Sequence, residues 1–247
     1  MKKPAVVSPS DDVTRIGTVF DTPVVVKGLT WLPLAEGVVW IFTTWLAGKR
    51  RPERSRCQRL GIGLLTMPII LGSEWGHNFA HAAAASLIGK PMDAMRISWG
   101  TPLIHYDDIN DTSVTPRQHV VRALGGPIFN FLALGAALLL RNKTHPESIP
   151  RELVDTAVGT NTFLCTVSLL PMPGIDGGPI LKWSLVEGGV TQEEADEKVR
   201  RVNGFLGVLL GVASARAFKK RRGLIGALMA LLAALALAIG SGLLREQ

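Results

Sequence analysis

Leu224 to Leu244 is a run of 21 residues without an ionisable side chain, and a helix of about 20 apolar residues crosses the hydrocarbon of a bilayer. This run constrains the fold more than any other stretch, and it has company. Leu60 to Ile88 carries only Glu74 and two histidines, Val120 to Leu140 is charged only at Arg122, and Leu29 to Leu46 only at Glu36. In lipid every backbone group must be satisfied within the protein, so such runs become helices. The expected fold is a mainly α, polytopic transmembrane bundle with about five or six spans, and the location is a membrane, most simply the cell membrane. The start Met1-Lys2-Lys3-Pro4 is followed by Ser8-Pro9-Ser10-Asp11-Asp12, with no apolar core of a cleavable signal evident.

The formal charge of +7 belongs with this reading. Lysines and arginines gather beside the apolar runs, in Lys49-Arg50-Arg51 and Lys219-Lys220-Arg221-Arg222, where they meet lipid headgroups. No aromatics interleave them, so nucleic acid is not an expected partner. Cys57 and Cys165 give neither a disulfide framework nor a zinc-ribbon spacing.

Residues 1–15 are polar and read as a disordered tail. Ile16 to Val26 reads as two short strands around Asp21-Thr22-Pro23, and Met92 to Ser98 with Leu103 to Tyr106 as a membrane-proximal hairpin separated by Gly100-Thr101-Pro102. The run from Leu153 to Leu181 contains Pro171-Met172-Pro173-Gly174-Ile175-Asp176-Gly177-Gly178-Pro179, which cannot continue a helix. Irregular backbone at membrane depth is tolerated where it lines a cavity or is buried in protein. Thr191-Gln192-Glu193-Glu194 has capping-box form, so a short polar helix is expected to about Val202. Asn203 to Ala215 is then a short span or a re-entrant segment.

Chemistry concentrates in Glu74-Trp75-Gly76-His77-Asn78-Phe79-Ala80-His81. Histidines four apart share one helical face, the way a helix offers two imidazoles to one zinc ion. The plainer reading is a pair of histidines bonding neighbouring helices. In a zinc protease the residue after the first histidine is a glutamate, the general base. Here it is Asn78, whose carboxamide accepts no proton at neutral pH. Glu74 shares the Asn78 face and is the possible substitute base, although helical side chains lean toward the N-terminus and carry it away from the metal. Asp176, in the proline-rich break, is a natural third ligand that leaves a position for water. Its plainer reading is an Asp-Gly-Gly turn. His105 and His119 read as loop and helix-end residues.

These residues resemble the site-2 proteases, intramembrane zinc metalloproteases. Past the second histidine the family has Gly at eight and Pro at ten residues, matched by Gly89 and Pro91 after His81. The family's Asn-x-x-Pro-x-x-x-x-Asp-Gly motif matches from Pro171 to Gly177, with Ser168 in place of the asparagine. Asn161, Gly126-Pro127 with Asn130, and the opening Ile16 to Val24 also fit. The resemblance covers residues 16–190 as a membrane core, followed by a polar helix and membrane segments over 191–247. It implies Zn2+ held by His77, His81 and Asp176, with Asn161 and Ser168 toward substrate. The two departures fall on the general base (Asn78) and on a substrate-holding residue (Ser168). Three functions follow: a protease using a substitute base, a pseudoprotease that binds or regulates a transmembrane partner, and a metal-handling membrane protein. For orientation, the positive-inside rule puts Lys49–Arg59 in the cytoplasm, and the resemblance implies the opposite.

Overall fold

The computed structural model describes residues 13–244, so most of the polar tail over 1–15 lies outside the described residues. The fold is mainly helical with one small sheet. Strands β1 (Thr14–Val19), β2 (Thr22–Val26), β3 (Ala94–Ser98) and β4 (Thr101–His105) accompany helices α1 (Leu34–Arg50), α2 (Arg56–Leu87), α3 (Pro116–Arg141), α4 (Ile149–Ser168), α5 (Gly177–Glu187), α6 (Gln192–Lys219) and α7 (Gly223–Gly240). The chain divides into two compact units, one of residues up to Thr112 with Leu124–Val167, the other of Ser113–Ala123 with Ser168 onward.

In the first unit the sheet has order β1-β2-β3-β4, with β2 and β3 parallel and both outer pairs antiparallel. The two hairpins have the expected places. Each closes on two residues with positive φ, Phe20 (47°) and Asp21 (60°) in one, Trp99 (56°) and Gly100 (93°) in the other. This is the turn whose twist matches right-handed strands. The second turn begins one residue earlier and β4 two residues earlier than expected: Thr101 and Pro102 already belong to β4, where an edge strand tolerates the proline. Val24, Val26, Met95 and Ile97 form the sheet's buried face, and Ala82 of α2 packs there with Trp75 and Phe79. The Trp75 indole donates to the Gly100 carbonyl at 3.2 Å, so the hairpin turn is fastened to the helix that carries the histidines.

At the other ends of these helices, three arginines of the α1–α2 turn hold the start of α4. Arg54 donates to both Glu152 carboxylate oxygens at 2.8 and 2.5 Å, and Arg51 pairs with the same carboxylate at 3.0 Å. Arg50 donates to the Glu152 carbonyl and the Thr156 hydroxyl. The end of α3 joins through Arg141, 2.6 Å from Asp155. Burial alone would raise the pKa of the Glu152 carboxyl. The Arg54 hydrogen bond and the charges of Arg54, Arg51 and Arg50 outweigh it and hold the carboxyl below its ordinary 4.5.

In the second unit the proline-rich stretch breaks the chain between α4 and α5, as expected. Pro171 leaves a carbonyl without a helical donor, and the fully buried Asn203 supplies one at 2.6 Å while also donating to Val199 O at 2.8 Å. Met172, Ala236 and Ile239 form the core there. Thr191 caps α6 by accepting from the Glu194 amide, but the helix does not stop near Val202. It runs unbroken for 28 residues, because its apolar second half packs on α7. Gly204 and Gly240 meet where a β-carbon on Gly240 would lie 2.5 Å from the Gly204 Cα.

Among the described residues, α3 and α7 are long and apolar enough to cross a membrane. The expectation of five or six spans is met by length and composition only that far. Helix α1 has 17 residues, α2 carries Ser73, Glu74, His77, Asn78 and His81 in its second half, and the first half of α6 is charged.

Because the folded-state pKa of Glu152 is the lowered one, the arginine cluster stabilises fully at neutral pH. That contribution is lost as pH falls from the ordinary carboxylate range through the lowered value. Glu152→Gln is expected to cost about 2 kcal/mol at neutral pH and to flatten the acid-side fall of the unfolding midpoint, read by thermal denaturation in detergent at a series of pH values.

Candidate metal centre

His77 and His81 lie where spacing puts them, on one face of α2, with their Nε2 atoms 3.1 Å apart and ring planes at 82°. His81 is buried. Gly126 of α3 is the floor beneath both rings. A β-carbon there would lie 2.4 Å from His77 Cε1 and from His81 Nε2, so only glycine admits the pair.

The His77 tautomer is set by a relay of amides. The Ala157 carbonyl only accepts, so the Asn161 atom facing it at 2.9 Å is Nδ2, which also donates to Ser73 Oγ at 3.0 Å. Asn161 Oδ1 therefore faces Asn130 and accepts from its Nδ2 at 2.9 Å. That turns Asn130 Oδ1 toward His77 Nδ1, 2.5 Å away. A carbonyl oxygen there requires Nδ1 to carry the proton, leaving a lone pair on Nε2. Asn130 is fully buried and Asn161 2% exposed, so water does not compete with the relay. Partners of this kind orient metal-binding histidines and raise their basicity.

His81 differs. Its Nδ1 accepts from the Gly126 amide at 3.3 Å, which puts its proton on Nε2, aimed at the His77 lone pair. A metal at His81 Nε2 requires that proton to move to Nδ1, which gives up the 3.3 Å contact from the Gly126 amide. One ring is thus ready for a cation and the other needs a tautomer change, and the donor set, two imidazoles with a buried outer partner, fits zinc.

The half-buried Asn78 donates from its amide to the Glu74 carbonyl one turn earlier, at 3.0 Å. Glu74 occupies α2 at that turn as expected. Of the two residues expected toward substrate, Asn161 spends its carboxamide within the relay, and the buried Ser168 ends α4. Asp176 belongs to the second unit, at the start of α5, and its carboxylate makes no capping hydrogen bond to that helix. His105 is 3.1 Å from Asp107, and His119 stacks on Trp183 with ring centroids 3.9 Å apart, both outside the histidine pair. Glu36 lies against Gly100, where a β-carbon would be 1.9 Å from its Oε2. Ser73 was not singled out from the sequence, and a lone serine in an apolar run carries no signal for its role.

A helical protein with a small mixed sheet, and with two histidines on one helix backed by a buried asparagine, is the class of architecture the structure defines. A solved structure with this fold is the site-2 protease from Methanocaldococcus jannaschii, which superposes with a TM-score of 0.53 at 10% identity, covering 95% of this chain and 96% of that one. At that identity the likeness shows a site-2 protease-like fold. No family model and no curated protein matches the sequence.

Gly126→Ala is expected to cost about 1–3 kcal/mol of stability through overpacking against the two rings, measured as a fall in unfolding midpoint. Asn130→Leu removes the acceptor at His77 Nδ1, and the Nδ1-protonated ring signal is expected to be lost in nitrogen NMR of the histidine side chains.

Proposed function

We propose that this chain is a site-2 protease-like protein of the membrane, with about five or six spans, that holds zinc on His77, His81 and Asp176. Its role is to bind a transmembrane segment of another protein rather than to cleave it. Asp176 comes from the second unit, and its assignment rests on the resemblance of Pro171 to Gly177 to the family motif. The observation that carries the reading is the relay ending on His77 Nδ1: a buried network fixes an unprotonated Nε2 that faces the Nε2 of the second imidazole at 3.1 Å, and one cation is a partner both nitrogens can share.

Zinc, when bound, supplies a Lewis acid that polarises a carbonyl and lowers the pKa of bound water. What this chain's residues do is narrower. Asn130 and Asn161 orient His77 and keep its proton on Nδ1. The residue at the general-base position, Asn78, donates to backbone and takes up no proton. Glu74 stands one turn before Asn78 on α2, where helical side chains lean toward the N-terminus. Ligands without a base describe a pseudoprotease.

Metal analysis of the purified chain is expected to find one zinc per molecule, lost in His77→Ala and in Asp176→Ala. An unchanged zinc content in both variants overturns the site. Asn78→Glu restores the missing base, worth about 10²–10⁴-fold in rate, and is expected to create cleavage of a reconstituted transmembrane substrate that the native chain leaves intact. Cleavage by the native chain that Asp176→Ala abolishes would instead make it a working protease.

A further inference from the structure

Beside the α1–α2 turn lies an open cleft of about 540 Å³ whose lining includes Trp45, Lys49, Pro52, Arg56, Arg59 and Leu60. No carboxylate lines it. The neighbouring arginines are already spent, Arg51 and Arg54 on Glu152 and Arg50 on the α4 backbone and Thr156. Lys49, Arg56 and Arg59 have no acidic partner among the described residues.

Arg59 is built in place. Its side chain donates to the Arg54 carbonyl at 2.9 Å and the Pro52 carbonyl at 2.5 Å, which fixes the guanidinium at the cavity wall. Arg56 opens α2, so its charge stands beside the positive end of the helix dipole. Lys49 Nζ is 5.9 Å from the Trp45 ring. Three cations converging on one hollow demand an anion.

The rest of the wall says which anion. Trp45 is 50% and Leu60 44% exposed, and the apolar surface continues along α1 and α2 through Ile41 (71%) and Leu64 (53%). A free phosphate has no use for that surface. A phospholipid does, since its headgroup needs the cations and its acyl chains need the apolar flank. Trp and basic residues at one helix end are how proteins meet the headgroup layer.

We propose that this cleft binds an anionic phospholipid, with the headgroup phosphate held by Lys49, Arg56 and Arg59 and the acyl chain lying on Trp45 and Leu60. The site is separate from the histidine pair, and the proposal stands or falls independently of zinc.

The test uses the full chain, relipidated with phosphatidylcholine vesicles with or without phosphatidylglycerol, and counts retained lipid by native mass spectrometry. Phosphatidylglycerol is expected to be retained in preference to phosphatidylcholine and to raise the unfolding midpoint. The double substitution Lys49→Gln with Arg56→Gln lies outside the Glu152 cluster and is expected to lower retention about tenfold or more. Trp45→Ala, which keeps every charge, is expected to lower it too. Equal retention of both lipids by the native chain overturns the proposal, as does unchanged retention in both variants. So does an equal loss on neutralising Lys219 and Arg222, which would make the attraction diffuse, or equal stabilisation by inorganic phosphate, which would make the site one for a soluble anion.

Discussion

One carbonyl oxygen, that of Ala157, decides the chemistry of a ring three residues further along the hydrogen-bond chain. Because a backbone carbonyl cannot donate, the amide of Asn161 has one allowed orientation, and so has that of Asn130. The proton of His77 then has one allowed nitrogen. Burying two carboxamides costs free energy unless every group is satisfied, and here the satisfaction runs in one direction. Helices α2, α3 and α4 each contribute a member, so their packing and the state of the imidazole are one problem. Gly126 adds the steric half of the same constraint.

Much of this was legible beforehand, and for identifiable reasons. Strand alternation and turn residues announced both hairpins, and three prolines with three glycines announced the break between α4 and α5. Two histidines four apart announced one face of one helix. The second turn is tighter and begins one residue earlier than expected because Trp99 adopts a positive φ that glycine and proline statistics do not assign to tryptophan. The long α6 was expected to break at Asn203, a polar residue between a charged and an apolar half. The structure shows that Asn203 serves the Pro171 carbonyl, a tertiary need that no local pattern encodes. The relay was half visible: Asn130 and Asn161 are named by the resemblance to the site-2 proteases, but Ser73 and the direction of each amide depend on contacts far apart in sequence.

The likeness of fold to an archaeal site-2 protease and the orientation of Asn78 pull in different directions, and the physical content of each explains why both hold. A fold is kept by cores, turns and relays spread over the whole chain. On the proposed reading, general-base chemistry depends on one side chain, and a carboxamide at that position, hydrogen-bonded to its own helix, leaves every one of those packing terms intact.

The arginine cluster has a mechanical corollary. The ends of α1 and α3, the start of α4 and the turn leading into α2 are tied at one level by Glu152, Asp155 and their guanidinium partners. The buried relay ties α2, α3 and α4 a second time, at the level of the imidazoles. Rods lashed at two heights cannot fan apart about either one, so the spacing of these helices at the histidines is braced from both sides.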